Sequence, residues 1–182
     1  MIPIVILAGG KSSRMGRDKS LLPFAGFDTL AQFQYERLKE AFDKVYISSK
    51  YDKFDFLPKE RLILDKSDIF APTIALLQSF QELKSEKIFF LSVDTPFVKV
   101  ETIKELIDLD SKIAIAKSKY LETLCGIYHV SMVDKLKKMI DSDIHKMRYL
   151  LDGFDYKTLQ RDEQEFLNLN KEEDYKRALE LI

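Results

Sequence analysis

The chain has 182 residues, 46% of them hydrophobic and 32% charged, with a formal net charge of −1 and one cysteine. These totals predict a single globular domain over residues 1–182 that buries a full core without a disulfide or a structural metal. They exclude broad electrostatic binding to nucleic acid or to an anionic membrane, which rewards a large basic excess, and the lone Cys125 suits the reducing cytoplasm.

The opening run MIPIVILAGG is apolar but short, with no basic residue ahead of it, so it fits neither a secretory signal nor a membrane span. Ile2 to Leu7 instead predicts a central parallel strand covered on both faces. A helix from about Thr29 to Phe42 follows from the shared face of Leu30, Phe33, Leu38 and Ala41. KVYIS and RLILD (Arg61 to Asp65) read as strands, and APTIALLQSFQEL as a helix with Pro72 in its first turn. KIFFLSVD (Lys87 to Asp94) is a further buried strand, KVETIKELIDL a helix, KIAIAK a strand, and LCGIYHV another, set antiparallel with Gly126 inside it. A helix around Met132 to Ile140, an irregular segment to Gln160, a short strand EFLNLN and a last helix capped by Asn170, with Glu173 completing a capping box, end the series. The alternation predicts an α/β three-layer sandwich with a mostly parallel mixed sheet, whose ligands bind outside the carboxyl ends of the strands.

Three strand ends carry the chemistry. After Leu7 come Gly9 and Gly10, where the backbone can approach a ligand closely, and then the cations Lys11, Arg14, Arg17 and Lys19. This is not a P-loop, because Val5 stands where that motif needs its first glycine, and the glycines at 9, 10 and 16 do not match a dinucleotide fingerprint. Asp65 and Asp94 each end an apolar strand. Alone, each is as readily a turn or cap residue as a ligand. Together with the cationic loop they supply the parts for phosphoryl or nucleotidyl transfer: positive groups for phosphates and a carboxylate for Mg²⁺. Arg148 is a candidate for an acceptor phosphate, since arginine suits bidentate phosphate contact. His129, at a strand end, reads as a packing or hydrogen-bonding residue, His145 as part of an exposed irregular segment, and Cys125 as core.

LAGGKSSRMGRDKSL (Leu7 to Leu21) resembles the signature L-A-G-G-x-S-x-R-M-G-x-D-K of the molybdenum cofactor guanylyltransferase family, the MobA-like nucleotidyltransferases. VDTPFV is similar to that family's Asp-x-Pro metal segment and LNLNKEED to its late N-x-N segment. The resemblance implies a GT-A-like nucleotide-binding fold and transfer of GMP from GTP to molybdopterin, releasing pyrophosphate and forming a guanine dinucleotide cofactor. On that resemblance Leu7, Ala8, Gly9, Gly10, Ser48 and Asp65 contact the nucleotide, Arg14 and Lys19 face its phosphates, Asp94 holds Mg²⁺, and Asn168 and Asn170 lie toward the metal or the acceptor. The implied partners are GTP, molybdopterin and other molybdenum cofactor biosynthesis proteins or molybdoenzyme chaperones. APTIA (Ala71 to Ala75) departs from the family's G-P-L-A-G, and Ser48 stands where an asparagine is usual. The alternatives are a nucleotidyltransferase using CTP or a sugar-phosphate acceptor, and a non-catalytic nucleotide-binding scaffold.

The expected reaction is in-line attack by molybdopterin's phosphate on the α-phosphorus of GTP. A phosphate monoester is largely dianionic near neutral pH, so the nucleophile needs little help from a general base.

Overall fold

Ile4–Leu7 (β1) is buried along its whole length, as a strand covered by helices on both faces must be. In the computed structural model, which describes residues 1–10 and 16–182, β1 is followed by Val45–Ser49 (β2), Leu62–Leu64 (β3) and Lys87–Ser92 (β4), then by Ala114–Lys117 (β5), Leu121–His129 (β6) and Lys157–Gln160 (β7). They form one sheet in the order β3-β2-β1-β4-β6-β5-β7. The first four strands are mutually parallel, β6 runs antiparallel to both β4 and β5, and β7 is parallel to β5.

Side chains alternate across a strand, and the core divides accordingly. Ile4, Ile6, Phe89 and Leu91 point to one face of the sheet, and Val5, Leu7, Ile88 and Phe90 to the other. The helices are Leu30–Lys39 (α1), Pro72–Leu83 (α2), Val100–Asp108 (α3), Val133–Asp141 (α4), Met147–Leu151 (α5) and Glu172–Leu179 (α6). The first face is covered by α1, α3 and α6, and the second by α2, α4 and α5. Thr29 caps α1 by accepting from Gln32 N, and Pro72 opens α2 where its missing N–H costs nothing.

From β1 the chain moves outward through β2 to β3 and then returns to add β4 on the other side of β1. The strand order therefore reverses between β1 and β4, which opens a crevice at their carboxyl ends. Leu7, Ser92 and the residues after them stand at its lip.

The C-terminal third differs from the sequence expectation in four ways. EFLNLN is not a strand: Asp162 accepts from Gln164 N at 2.8 Å and starts a 3-10 turn over Glu163–Phe166. This local cap competes successfully with an extended backbone, and the following residues cross the strand ends instead of joining the sheet. Helix α6 begins one residue later than expected, with Lys171 at its N-cap, and the carboxylate that reaches back is Asp174, not Glu173. Its Oδ2 accepts from Lys171 N at 2.8 Å and from Asn170 N at 3.1 Å. The irregular segment before Gln160 contains α5 and β7, an edge strand with mostly exposed side chains and hence no apolar run to reveal it. His145 is also less exposed than expected, because its Nδ1 lies 2.7 Å from Thr73 Oγ1.

Candidate nucleotide site

An open-mouthed cleft of about 220 Å³ occupies the crevice between β1 and β4. Its walls bring together Leu7, Ala8, Gly9 and Gly10 from the exit of β1, Ser48 from β2, Asp65 after β3, and Asp94 after β4, with Lys19 on one side. Residues far apart in the chain thus converge because each follows a parallel strand at the same end of the sheet. A Cβ at Gly10 would meet no described atom within 4 Å. The backbone at Gly10 therefore stands open toward the cleft among the described residues.

Lys19 is held from both sides. Asp18 precedes it as the N-cap of a 3-10 turn over Lys19–Leu21 and accepts from Ser20 N at 3.0 Å and from Ser20 Oγ at 2.6 Å. The other Asp18 oxygen pairs with Lys53, whose Nζ also donates to Ala8 O at 3.2 Å, tying the two ends of the first loop together. The Lys19 ammonium lies 2.9 Å from Asp94 Oδ2 and donates to Asn170 Oδ1 at 3.1 Å. Both members of this ion pair are largely withdrawn from solvent, with side chains 12% and 16% exposed. Removing either charge would leave its partner poorly solvated.

Asp94 is oriented by its neighbours. Ser92 Oγ donates to Asp94 Oδ1 at 2.6 Å, and Asp94 O accepts from Leu169 N at 2.9 Å. The second bond carries the segment before α6 across the strand ends and delivers Asn170 to Lys19. Each Asp94 carboxylate oxygen has room for a second partner after these bonds. Asn168 Oδ1 is buried without a hydrogen-bond partner among the described residues, a cost of about 1–3 kcal/mol when nothing satisfies the atom.

This donor set suits a hard cation. Mg²⁺ prefers oxygen and is commonly held by one or two carboxylates, with waters and substrate phosphates completing its shell. One strand-end carboxylate, Asp94, with the Asn170 amide oxygen on the same lysine, matches that pattern. Among the described residues there is no cluster of three or more His, Cys, Asp or Glu side chains able to enclose a metal without substrate.

Not every expected site residue is found at the cleft. Arg14 and Lys11 lie outside the described residues. Arg17 turns from the cleft to Glu172, with an Nη2 to Oε2 distance of 2.8 Å. Arg148 is exposed on α5, and neither it nor Asn168 lines the cleft. His129 is buried, with Nδ1 2.9 Å from Ser131 Oγ and Nε2 3.1 Å from Glu86. Burial holds the Cys125 thiol far above its ordinary range, so it offers no thiolate nucleophile.

Four residues in or behind the walls were not anticipated: Asp18, Ser92, Lys50 and Phe70. Asp18 is a fixed position of the LAGG signature, which makes it visible as a motif but not as a cap. The others gave no signal, because their roles depend on which strands are neighbours.

The model of the MobA-like NTP transferase domain matches residues 4–161. The chain belongs to this family. A Campylobacter jejuni protein named molybdenum cofactor guanylyltransferase is 39% identical to it over 95% of this chain and 93% of its own. A Helicobacter pylori protein of the same name is 34% identical over 100% of this chain and 93% of its own. A solved Archaeoglobus fulgidus structure, named molybdopterin-guanine dinucleotide biosynthesis protein A, superposes with a TM-score of 0.82 at 21% identity, covering 99% of this chain and 98% of that one. That likeness speaks to the fold: a GT-A-like mixed sheet between two helical layers. Family membership makes the chain a nucleotidyltransferase.

Proposed function

We propose that residues 1–182 act as one domain that transfers GMP from GTP to molybdopterin, releasing pyrophosphate and forming the guanine dinucleotide form of the cofactor. The observation that carries this reading is the Lys19–Asp94 pair at the cleft between β1 and β4, in a chain that shares over a third of its residues with a protein named molybdenum cofactor guanylyltransferase.

In the reaction a molybdopterin phosphate oxygen attacks the α-phosphorus of GTP. One P–O bond forms, the bond from the α-phosphorus to the α–β bridging oxygen breaks, and pyrophosphate carries away the electron pair. Leu7, Ala8, Gly9 and Gly10 offer backbone contacts to the nucleotide, while Ser48 and Asp65 contact it from the neighbouring strand ends. Lys19, and Arg14 on the strength of the signature, offset charge on the leaving pyrophosphate. Asp94, with the Asn170 amide on the same lysine, would hold Mg²⁺, which when bound supplies a charge clamp on phosphate oxygens. Arg148, Asn168 and Asn170 are the candidates for the acceptor side.

A cytoplasmic setting, where GTP and Mg²⁺ are available, is supported by the unpaired buried Cys125. No helix among the described residues is long and apolar enough to cross a membrane. Other molybdenum cofactor biosynthesis proteins or molybdoenzyme chaperones are proposed as receivers of the product.

The test is pyrophosphate release and dinucleotide formation with molybdopterin, Mg²⁺ and each of GTP, ATP, CTP and UTP. Turnover confined to GTP is expected. Preference for CTP, or no turnover with any nucleotide, would overturn the assignment.

A further inference from the structure

Lys50 follows β2 and does not line the cleft, yet it is bonded to the segment that does. Its Nζ lies 2.9 Å from Asp65 Oδ2, donates to the carbonyl oxygens of Ser67 and Ile69, and stands 4.9 Å from the centre of the Phe70 ring. The Lys50 and Asp65 side chains are each only 5% exposed. An ammonium has three N–H donors, and here three oxygens surround it. Asp65 Oδ1 in turn accepts from Ser67 N at 3.0 Å. The segment from Asp65 to Phe70 is thus drawn around one buried cation, and its ends, Asp65 and Phe70, together with the next residue, Ala71, form a wall of the cleft.

We infer that Lys50 is a positioning residue that sets nucleotide selection by fixing Asp65 and Phe70 as one side of the base pocket. The inference rests on the nucleotide-transfer reading above and deepens it. The physical reason is twofold. A carboxylate beside a triphosphate is repelled unless a neighbouring cation offsets its charge, and Lys50 does so from behind the wall, leaving each carboxylate oxygen a lone pair for N–H donors on a base edge. An aromatic ring in the cleft wall adds apolar contact area beside a nucleobase.

The experiment measures equilibrium binding of GTP, ATP, CTP and UTP, each with Mg²⁺, by calorimetry on the full chain, together with pyrophosphate release. Wild type is compared with Lys50→Met, which keeps the aliphatic stem, and with Phe70→Ala. For the nucleotide that wild type prefers, Lys50→Met is expected to raise Kd and KM about 10- to 100-fold, by analogy with outer partners that orient metal ligands, and to shrink the margin over the other three. Its kcat at saturation is expected to stay within about twofold, the mark of lost uniform binding. A mere structural staple would lower the melting temperature and leave the ratios between nucleotides intact. Unchanged ratios in a folded Lys50→Met protein therefore overturn the inference. If Lys50→Met does not fold, Phe70→Ala decides: unchanged Kd and ratios overturn it, and a raised Kd with flattened ratios supports it. Wild-type preference for a nucleotide other than GTP sinks the guanylyl reading, while Lys50 is then judged on the preferred nucleotide. Failure of wild type to bind any nucleotide sinks both.

Discussion

Lys19 shows how one side chain is prepared before substrate arrives. Asp18 and Ser20 shape its turn, Lys53 anchors Asp18, and Asp94 with Asn170 hold its ammonium at the cleft. A cation pre-placed in this way loses little on binding phosphate, which is the basis of electrostatic stabilisation in a partly dry site. Lys19→Ala is therefore expected to slow GMP transfer about a hundredfold or more, the usual loss when one preorganised donor is removed, with the circular dichroism spectrum unchanged. Near-normal pyrophosphate release from that variant would remove Lys19 from the chemistry. At this scale the sequence was informative where a residue type follows a strand: Lys19, Asp65 and Asp94 could be singled out from the apolar runs before them. Arg17 shows the limit. It stood among the same cations, but Glu172 on α6 takes it, a pairing across most of the chain that local spacing does not encode.

Among the elements, β6 pairs antiparallel with β4 on one side and β5 on the other. Gly126 sits in its middle, opposite Phe90 and Ile115. A Cβ there would stand 2.5 Å from Ala114 O and 2.7 Å from Ile115 Cδ1, so the glycine is needed for strand approach beside the irregularity between Ile115 and Ala116. Gly126→Ala is expected to cost about 1–3 kcal/mol, as overpacking does in a close-packed interior, seen as a lower urea midpoint with the slope unchanged. The apolar run LCGIYHV marks most of β6 in the sequence, and its expected antiparallel setting is the one found. Chain reading failed at EFLNLN and at β7 for opposite reasons: the first is apolar enough for a strand but is bent by the Asp162 cap, and the second is a strand with hardly any apolar side chain.

Across the whole molecule, burial sets a pH limit. Desolvation in the core pushes the Cys125 thiol above its ordinary 9.0 and the Tyr128 phenol above its ordinary 10.0. Tyr128 also donates to Thr123 O at 2.6 Å, a bond that needs its proton. In the unfolded chain both groups release their protons near the ordinary values, while the folded protein keeps them. Above about pH 9 the unfolded state therefore binds fewer protons than the native one, and stability falls as pH rises. Melting midpoints should be level from about pH 7.5 to about pH 8.5 and decline by about pH 10.5, with a shallower decline in Cys125→Ala. A flat profile across that range would contradict the burial of these two groups.

By itself the sequence determined the alternation of strands and helices, the burial of the first and fourth strands, and the glycine-rich, cationic exit that marks the family, because each is written in residues close together in the chain. Only the tertiary structure decided what those residues face. The reversal of strand order between β1 and β4 makes the crevice, the crossing of Leu169 over Asp94 brings Asn170 to Lys19, and the neighbourhood of β2 and β3 sets Lys50 behind Asp65. Electrostatic partnership depends on distance in space, and distance in space is fixed by sheet order and register, which no local pattern of residues specifies.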